Sequence, residues 1–288
     1  MREVQIVGAG AIGSLFGYLL AKAGCDVLLV ARGKRLEELK RGLIIDGLVK
    51  DRIDVEFSSR PERAWLTIFA VKSYDTEEAA RTVEDTELAL SVQNGIGNED
   101  VISKYVDRVL GGVTSYAANI RDGVVFYAGR GVTWIGNWKG CSREDVEEVA
   151  RVLGKAMDVR VAENIVEMKW RKAAINAVIN PLTAITGMRN GAITKELWGA
   201  AKPICRECER VLESMGYRVN VEEEVRRVAE LTAENRSSML QDVERGKKTE
   251  IDAITGKFVE EGRKRGIDVR ANELVYHLVR AIEGKVQK

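Results

Sequence analysis

Apolar positions run through the first half of the chain in short bursts. "EVQIVGAG", "CDVLLVAR", "WLTIFAV", "LALSVQNG" and "RVLGGVTSY" are each rich in Val, Leu and Ile and only a few residues long. Near-continuous apolar runs of that length are what strands buried on both faces present. Between them lie "AIGSLFGYLLAKAG", a helical pattern closed by Gly24, and charged stretches such as "YDTEEAARTVEDTE". Strands alternating with helices predict right-handed crossovers and a mainly parallel sheet. "GVVFYAGRGVTWIGN" alternates as antiparallel strands do, and is expected to extend the edge of that same sheet.

After about residue 143 the pattern changes. From "SREDVEEVARVLGKAM" onward the periodicity is helical, and only "DVRVAEN" reads as strand. The expected division is an α/β domain over residues 1–165 and an all-α C-terminal domain over residues 166–288.

Near the start of that second domain, "KWRKAAINAVINPLTA" carries Lys172, Asn176 and Asn180 at intervals of four on an otherwise apolar helix. Four residues is about 400° of helical rotation, so the three side chains drift by only about 40° per step and share one face. A polar stripe on a buried helix points to something polar other than bulk water, and a small-molecule site in a cleft between the domains is expected. For Asn180 a second reading stands beside this one. It precedes Pro181, a residue suited to the first turn of a new helix, and could cap "PLTAITG".

At 288 residues, with 45% hydrophobic and 31% charged residues and a formal charge of +1, the chain is a soluble globular protein of two domains or one large one. The charge balance offers no electrostatic reason for a nucleic-acid or anionic-membrane partner. The longest apolar run, "VQIVGAGAIGSLFGYLLAKAG", is interrupted by glycines and lacks a basic leader or a small-residue cleavage site, so neither signal peptide nor membrane span is expected and the expected location is cytoplasmic. Cys205 and Cys208 form a CxxC without the second pair that a zinc site wants, so no metal is expected.

Gly8, Gly10 and Gly13 spell GxGxxG directly after the first strand and open the first helix. The first glycine permits the tight turn, the second lets a pyrophosphate approach the backbone, and the third lets helix pack on strand. The helix N-terminus then adds unpaired N–H groups and a positive dipole. In this context the loop Gly8, Ala9, Gly10, Ala11, Ile12, Gly13 reads as a dinucleotide cradle, and the first domain as a Rossmann fold. Where an NAD-binding chain offers Asp or Glu to the ribose, the second strand ends in Arg32, followed by Lys34 and Arg35. A guanidinium can grip a 2′-phosphate that a carboxylate would repel, so NADP(H) is expected, with NAD(H) still open. Lys72, at the end of "IFAVK", is a second cation at a strand's C-terminal edge.

GxGxxG with Arg32, then "AVKSYDT", "VQNGIGNED", "KWRKAAINAVINPLTAITG" and "SSMLQDVERGKKTEID", in that order, resemble ketopantoate reductases over nearly the whole chain. The resemblance implies NADPH-dependent reduction of 2-dehydropantoate, a keto acid, to (R)-pantoate on the route to pantothenate and coenzyme A. Lys172 matches the family's proton donor to the ketone oxygen, Asn176 and Asn180 its substrate-binding amides, Ser238 its carboxylate-binding serine and Glu250 its acid. Asn94, in "QNG", matches a position beside the nicotinamide that serves both cofactor and substrate. A homodimer, for which "LVYHLVRAI" offers an apolar face, and coenzyme A as a feedback inhibitor are further expectations. Blander readings exist for each position. A lone lysine can snorkel from a core helix, Ser238 can be a surface hydroxyl, Glu250 can favour a helix start capped by Thr249 and Asp252, and Asn-Gly marks ordinary turns. "VERGKK" departs from the family by placing Gly246 and two lysines between Ser238 and Glu250. Two other readings have the same glycine loop: another two-domain NADP-dependent keto acid or imine reductase, and a sensor that binds NADP(H) without turnover. The lysine-asparagine stripe and "SSMLQD" separate the first, and a retained proton donor argues against the second.

Overall fold

The computed structural model describes residues 2–83 and 85–286. The first half follows the alternation: β1 (Arg2–Val7), α1 (Ala11–Lys22), β2 (Val27–Val30), α2 (Gly33–Leu39), β3 (Leu43–Gly47), β4 (Asp51–Ile53), β5 (Glu56–Ser58), β6 (Ala64–Phe69), α3 (Thr76–Arg81), β7 (Thr86–Ser91), α4 (Asn98–Ile102) and β8 (Val109–Thr114). β9 (Ala117–Arg121), β10 (Val124–Gly129), β11 (Thr133–Lys139), α5 (Arg143–Gly154) and β12 (Val159–Val161) follow. The remainder is helical: α6 (Ile165–Thr186), α7 (Trp198–Ser214), α8 (Val221–Leu231), α9 (Ser238–Glu244), α10 (Thr255–Lys264) and α11 (Arg270–Val286). The fold class is therefore an α/β domain with a mainly parallel sheet, followed by a helical one.

The large sheet runs β12-β11-β8-β7-β6-β1-β2-β5. Its pairs are parallel except β11 with β8. Strand order reverses at β1, with β2 and β5 on one side and β6, β7 and β8 on the other. Such a switch point is where doubly wound sheets open a ligand crevice, and the glycine loop follows β1 there.

The expectation for "GVVFYAGRGVTWIGN" is half corrected. β11 joins the large sheet, but β10 pairs with β9 and β3 in a second sheet ordered β4-β3-β10-β9. The reason lies in α1, which is apolar nearly all round and buries Gly13 to Tyr18 and Leu20. The large sheet covers one of its faces, and β9 and β10 pack on it as well. Phe16 meets Tyr116 edge-on at 6.1 Å. The β9–β10 hairpin turns at Asp122 and Gly123, both with positive φ (50° and 83°), the Asp-Gly signature of a two-residue turn.

The chain splits into two compact units, Met1–Gln93 with Gly97–Met168, and Asn94–Ile96 with Lys169–Lys288. In the second, α7 buries Ile204, Cys205, Cys208, Val211 and Leu212 at helical spacing. Glu207, on the same helix, accepts from the backbone N–H groups of Ala271 (2.8 Å) and Asn272 (2.9 Å) and so caps α11. α6 corrects the reading of Asn180 as a cap, because it runs through Pro181 without a break. An interior proline costs roughly 3 kcal/mol. Burial of Ala173, Ala174, Ala177, Val178, Ile179 and Leu182 offsets that cost, and the Thr183 hydroxyl donates to the carbonyls of Ile179 (2.7 Å) and Asn180 (3.1 Å) at the irregular turn.

Candidate functional site

The cradle of the first unit is built from missing side chains. Gly8 has φ +106°, and a Cβ there would lie 2.6 Å from the Val71 nitrogen. At Gly13 a Cβ would lie 2.0 Å from the Gly8 carbonyl oxygen, so helix and strand pack as close as backbone allows. Gly10 is different: it is exposed, and the nearest atom to a Cβ would be the Ala70 oxygen at 3.9 Å. No side chain caps α1 at Gly10, and its first turn holds no acid. Ala11 and Ile12, partly exposed, begin that turn, while Ala9 is buried beneath it. A helix mouth with unclaimed N–H groups and open space fits the pyrophosphate of a dinucleotide.

Arg35 braces this loop rather than facing a ligand. It donates to the Ala9 carbonyl (2.9 Å), the Ser14 hydroxyl (3.0 Å) and the Gly123 carbonyl (2.9 Å). Arg32, between β2 and α2, is exposed and pairs with Glu78 of α3, while Lys34 is exposed with Glu38 at 3.8 Å. Lys72 is partly exposed and opens the turn before α3. A buried relay that the sequence did not reveal ties the loops after β6 and β7 together. Gln93 donates to the Thr76 hydroxyl (2.7 Å) and the Val71 carbonyl (3.0 Å), and Thr76 donates to Asn98 (3.0 Å).

In the second unit, Lys172 is half-buried on α6. Desolvation pushes its pKa down from 10.5 to about 8, with the charge of Lys169 adding to the fall and that of Glu250 opposing it. Lys169, one helical turn earlier, is itself buried. Asn176 is half-buried and Asn180 only 5% exposed. Among the described residues neither side-chain amide hydrogen-bonds to protein. Polar groups so placed are ordinarily satisfied, which makes both amides candidates for a ligand.

Glu250 is 6% exposed. The Thr249 hydroxyl accepts from the Ile251 N–H (3.2 Å), and the Glu250 carbonyl accepts from Ala253 and Ile254, both at 3.1 Å. Thr249 thus caps a turn, but the helix start expected here is corrected: α10 begins only at Thr255, without a side-chain cap, and Asp252 takes no part in the turn at Thr249. Its carboxylate accepts from the Tyr276 hydroxyl instead (2.8 Å). Gly246, with φ 64°, ends α9. Ser237 is the buried cap of α9, and its hydroxyl shares a hydrogen bond with that of Thr183 on α6 (2.7 Å), which ties the start of α9 to the stripe-bearing helix. Ser238, the next residue, is exposed. Asn94 is partly buried in the short segment that clusters with this unit, where the Ile96 N–H donates to the Ala253 carbonyl (2.8 Å). The second unit therefore holds Lys172, Asn176, Asn180, Ser238, Glu250 and Asn94; the glycine loop, Arg32 and Lys72 lie in the first.

Among the described residues, no group of three or more His, Cys, Asp or Glu is placed to hold a metal ion. Cys205 and Cys208 are free thiols, and burial pushes Cys205 up to about 12 and Cys208 well above its usual value. No helix among the described residues is long and apolar enough to cross a membrane.

Two sequence profiles match the chain. One described as "Ketopantoate reductase PanE/ApbA" covers residues 4–140, and one described as "Ketopantoate reductase PanE/ApbA C terminal" covers residues 164–283. A 2-dehydropantoate 2-reductase of Archaeoglobus fulgidus is 47% identical over 98% of both chains. One of Pyrococcus horikoshii is 39% identical over 98% of this chain and 97% of its own. A crystal structure of a PanE/ApbA family ketopantoate reductase from Ralstonia eutropha superposes with a TM-score of 0.91 at 32% identity, covering both chains fully. A ternary structure of D-mandelate dehydrogenase with NADH and anilino(oxo)acetate gives 0.92 at 25% identity over 99% of each chain.

Proposed function

This chain belongs to the ketopantoate reductase family of oxidoreductases, and from that premise we propose that it reduces 2-dehydropantoate to (R)-pantoate with NADPH, Lys172 acting as general acid. The observation that carries the reading is the ammonium of Lys172, drawn down to about 8 and flanked on its helix face by two amides that make no side-chain hydrogen bond to protein among the described residues.

A reduced nicotinamide, held through its phosphates at the glycine loop, would supply hydride to the ketone carbon. Lys172 Nζ donates a proton to the ketone oxygen as charge develops there, and its remaining N–H bonds stabilise the alkoxide. With a pKa near 8 the ammonium is mostly protonated at neutral pH, yet a better donor than an ordinary lysine. Glu250 keeps Lys172 charged before transfer by opposing desolvation and Lys169. Asn176 and Asn180, each both donor and acceptor, orient the substrate's hydroxyl and carbonyl, Ser238 takes its carboxylate, and Asn94 orients cofactor and substrate. Arg32 and Lys72 offer cations to the 2′-phosphate and its neighbours.

A second reading has one observation in its favour. The D-mandelate dehydrogenase structures hold NADH, so another 2-keto acid, or NADH as donor, is the alternative. The product would feed pantothenate and coenzyme A synthesis, with coenzyme A as an inhibitor. Exposed Leu274 and Leu278 on α11 support a homodimer.

The deciding experiment follows oxidation of NADPH by 2-dehydropantoate in the native protein and in Lys172→Ala, repeated with NADH. Turnover should fall by roughly 10² to 10⁴ in the variant while NADPH still binds. Absence of turnover in the native protein, with binding intact, moves the assignment to another keto acid or to a sensor.

A further inference from the structure

Helix α11 sends three side chains, at spacings of four and three, toward the segment that bears Glu250. The Tyr276 hydroxyl donates to Asp252 Oδ1 (2.8 Å), and Arg280 lies 3.7 Å from Asp252 Oδ2. Glu283 is 5% exposed. Its Oε1 accepts from the backbone N–H of Thr249 (2.6 Å), and its Oε2 from Arg280 (2.9 Å). Burying a carboxylate is costly unless it is paired, and this one is paired both with a cation and with a backbone group adjoining the site. The approach to Thr249 passes through Gly246 in the left-handed region and then Lys247 and Lys248, outside any regular element. The anchor at Thr249 therefore comes from α11.

We infer that Glu283 is a positioning residue: by holding the Thr249 N–H it fixes the turn that presents the Glu250 carboxylate to Lys172. The inference rests on the reading of Lys172 and Glu250 as the reactive pair. The charged groups acting on Lys172 are Lys169 from its own helix and Glu250 from the turn. Those around Glu283 are Arg280 on its own helix and Asp252 beyond it, with Asp242 a further buried carboxylate on α9, which packs against α11.

Three variants of Glu283 test this. Glu283→Gln keeps a carbonyl acceptor for Thr249 and should retain most of the turnover. Glu283→Asp, one methylene shorter, and Glu283→Ala should lose it progressively, by ~10-fold or more in Ala, in kcat rather than in the KM for reduced cofactor. Because Glu250 raises the pKa of Lys172, a displaced Glu250 lets it fall. The lysine's NMR titration, and the basic limb of kcat/KM, should both move to lower pH in Ala and Asp. Equal losses in Gln and Ala overturn the inference, as does an unmoved Lys172 titration in folded Asp and Ala variants. The titration needs no turnover, so an absence of ketopantoate reduction in the native protein would dispose of the functional reading and still leave this one testable.

Discussion

Under the proposed function, the two units offer their ligands opposite kinds of surface. In the first, recognition depends on what is missing: Gly13 has room for a hydrogen and nothing more, and Gly10 leaves a helix mouth open. In the second it depends on side chains from separated segments, Lys172 and two amides on α6, Glu250 on a turn, and Glu283 behind it. A backbone-built site is compact in sequence and tolerates almost no change, because no rotamer can relieve a clash between two main chains. A side-chain-built site is dispersed and adjustable, since neighbouring charges such as Lys169 and Glu250 set the acidity of its central group.

The largest effect should come from breaking the backbone side of that contrast. Gly13→Ala puts a Cβ 2.0 Å from the Gly8 carbonyl oxygen, so strand and helix must part. The expected outcome is a loss of at least ~3 kcal/mol of stability together with loss of dinucleotide binding, followed by thermal melting and by fluorescence titration with reduced cofactor. Gly10→Ala, with open space around it, should melt normally and lose affinity only. Normal binding by Gly13→Ala would show that the cradle does not depend on close packing.

On the other side, Lys172→Met should separate function from stability. The folded protein holds this lysine near 8 against an ordinary value of 10.5. Between those values the unfolded chain binds a proton that the folded chain releases, so stability rises with pH across that window, and below it the full desolvation penalty is present. Removing the charge should therefore raise stability at neutral pH by about 1 kcal/mol, flatten the slope between pH 8 and 10.5, and abolish turnover. Melting curves across that range check the sign. A variant that melts lower at neutral pH would mean that the lysine is supported rather than strained by its surroundings.

The same contrast explains what could be read in advance. Gly8, Gly10 and Gly13 were legible because their constraint is local, and the lysine-asparagine stripe because helical spacing reveals a shared face. The roles proposed for Asn176, Asn180, Ser238 and Glu250 rest on family resemblance, since spacing alone leaves each with a bland alternative. The second sheet escapes the pattern because β3 and β4 are only five and three residues long, and β10 falls to the wrong sheet because alternation says which face is buried and not what covers it. The second reading of Asn180, as the cap of a new helix at Pro181, fails because α6 is buried on both sides of the proline. Glu207 and Glu283 carry no signal in the sequence, because their partners, Asn272 and Thr249, lie far away along the chain and no local pattern marks such a pairing.

The smallest effect concerns a side chain proposed to supplement the backbone cradle. Arg32 stands where a 2′-phosphate would be gripped, yet it already pairs with Glu78, and both side chains are largely exposed. A phosphate must therefore displace a carboxylate from the guanidinium, and water and salt screen what is gained. Arg32→Ala should lower kcat/KM for NADPH relative to NADH by about tenfold, the scale of one charge-assisted hydrogen bond. Glu78→Gln should shift the ratio toward NADPH by a few-fold, because it frees Arg32, and both shifts should shrink as ionic strength rises. If the ratio is unmoved in both variants, Arg32 is a solvated loop charge, and preference between the two cofactors is set elsewhere, with Lys72 the next cation to replace.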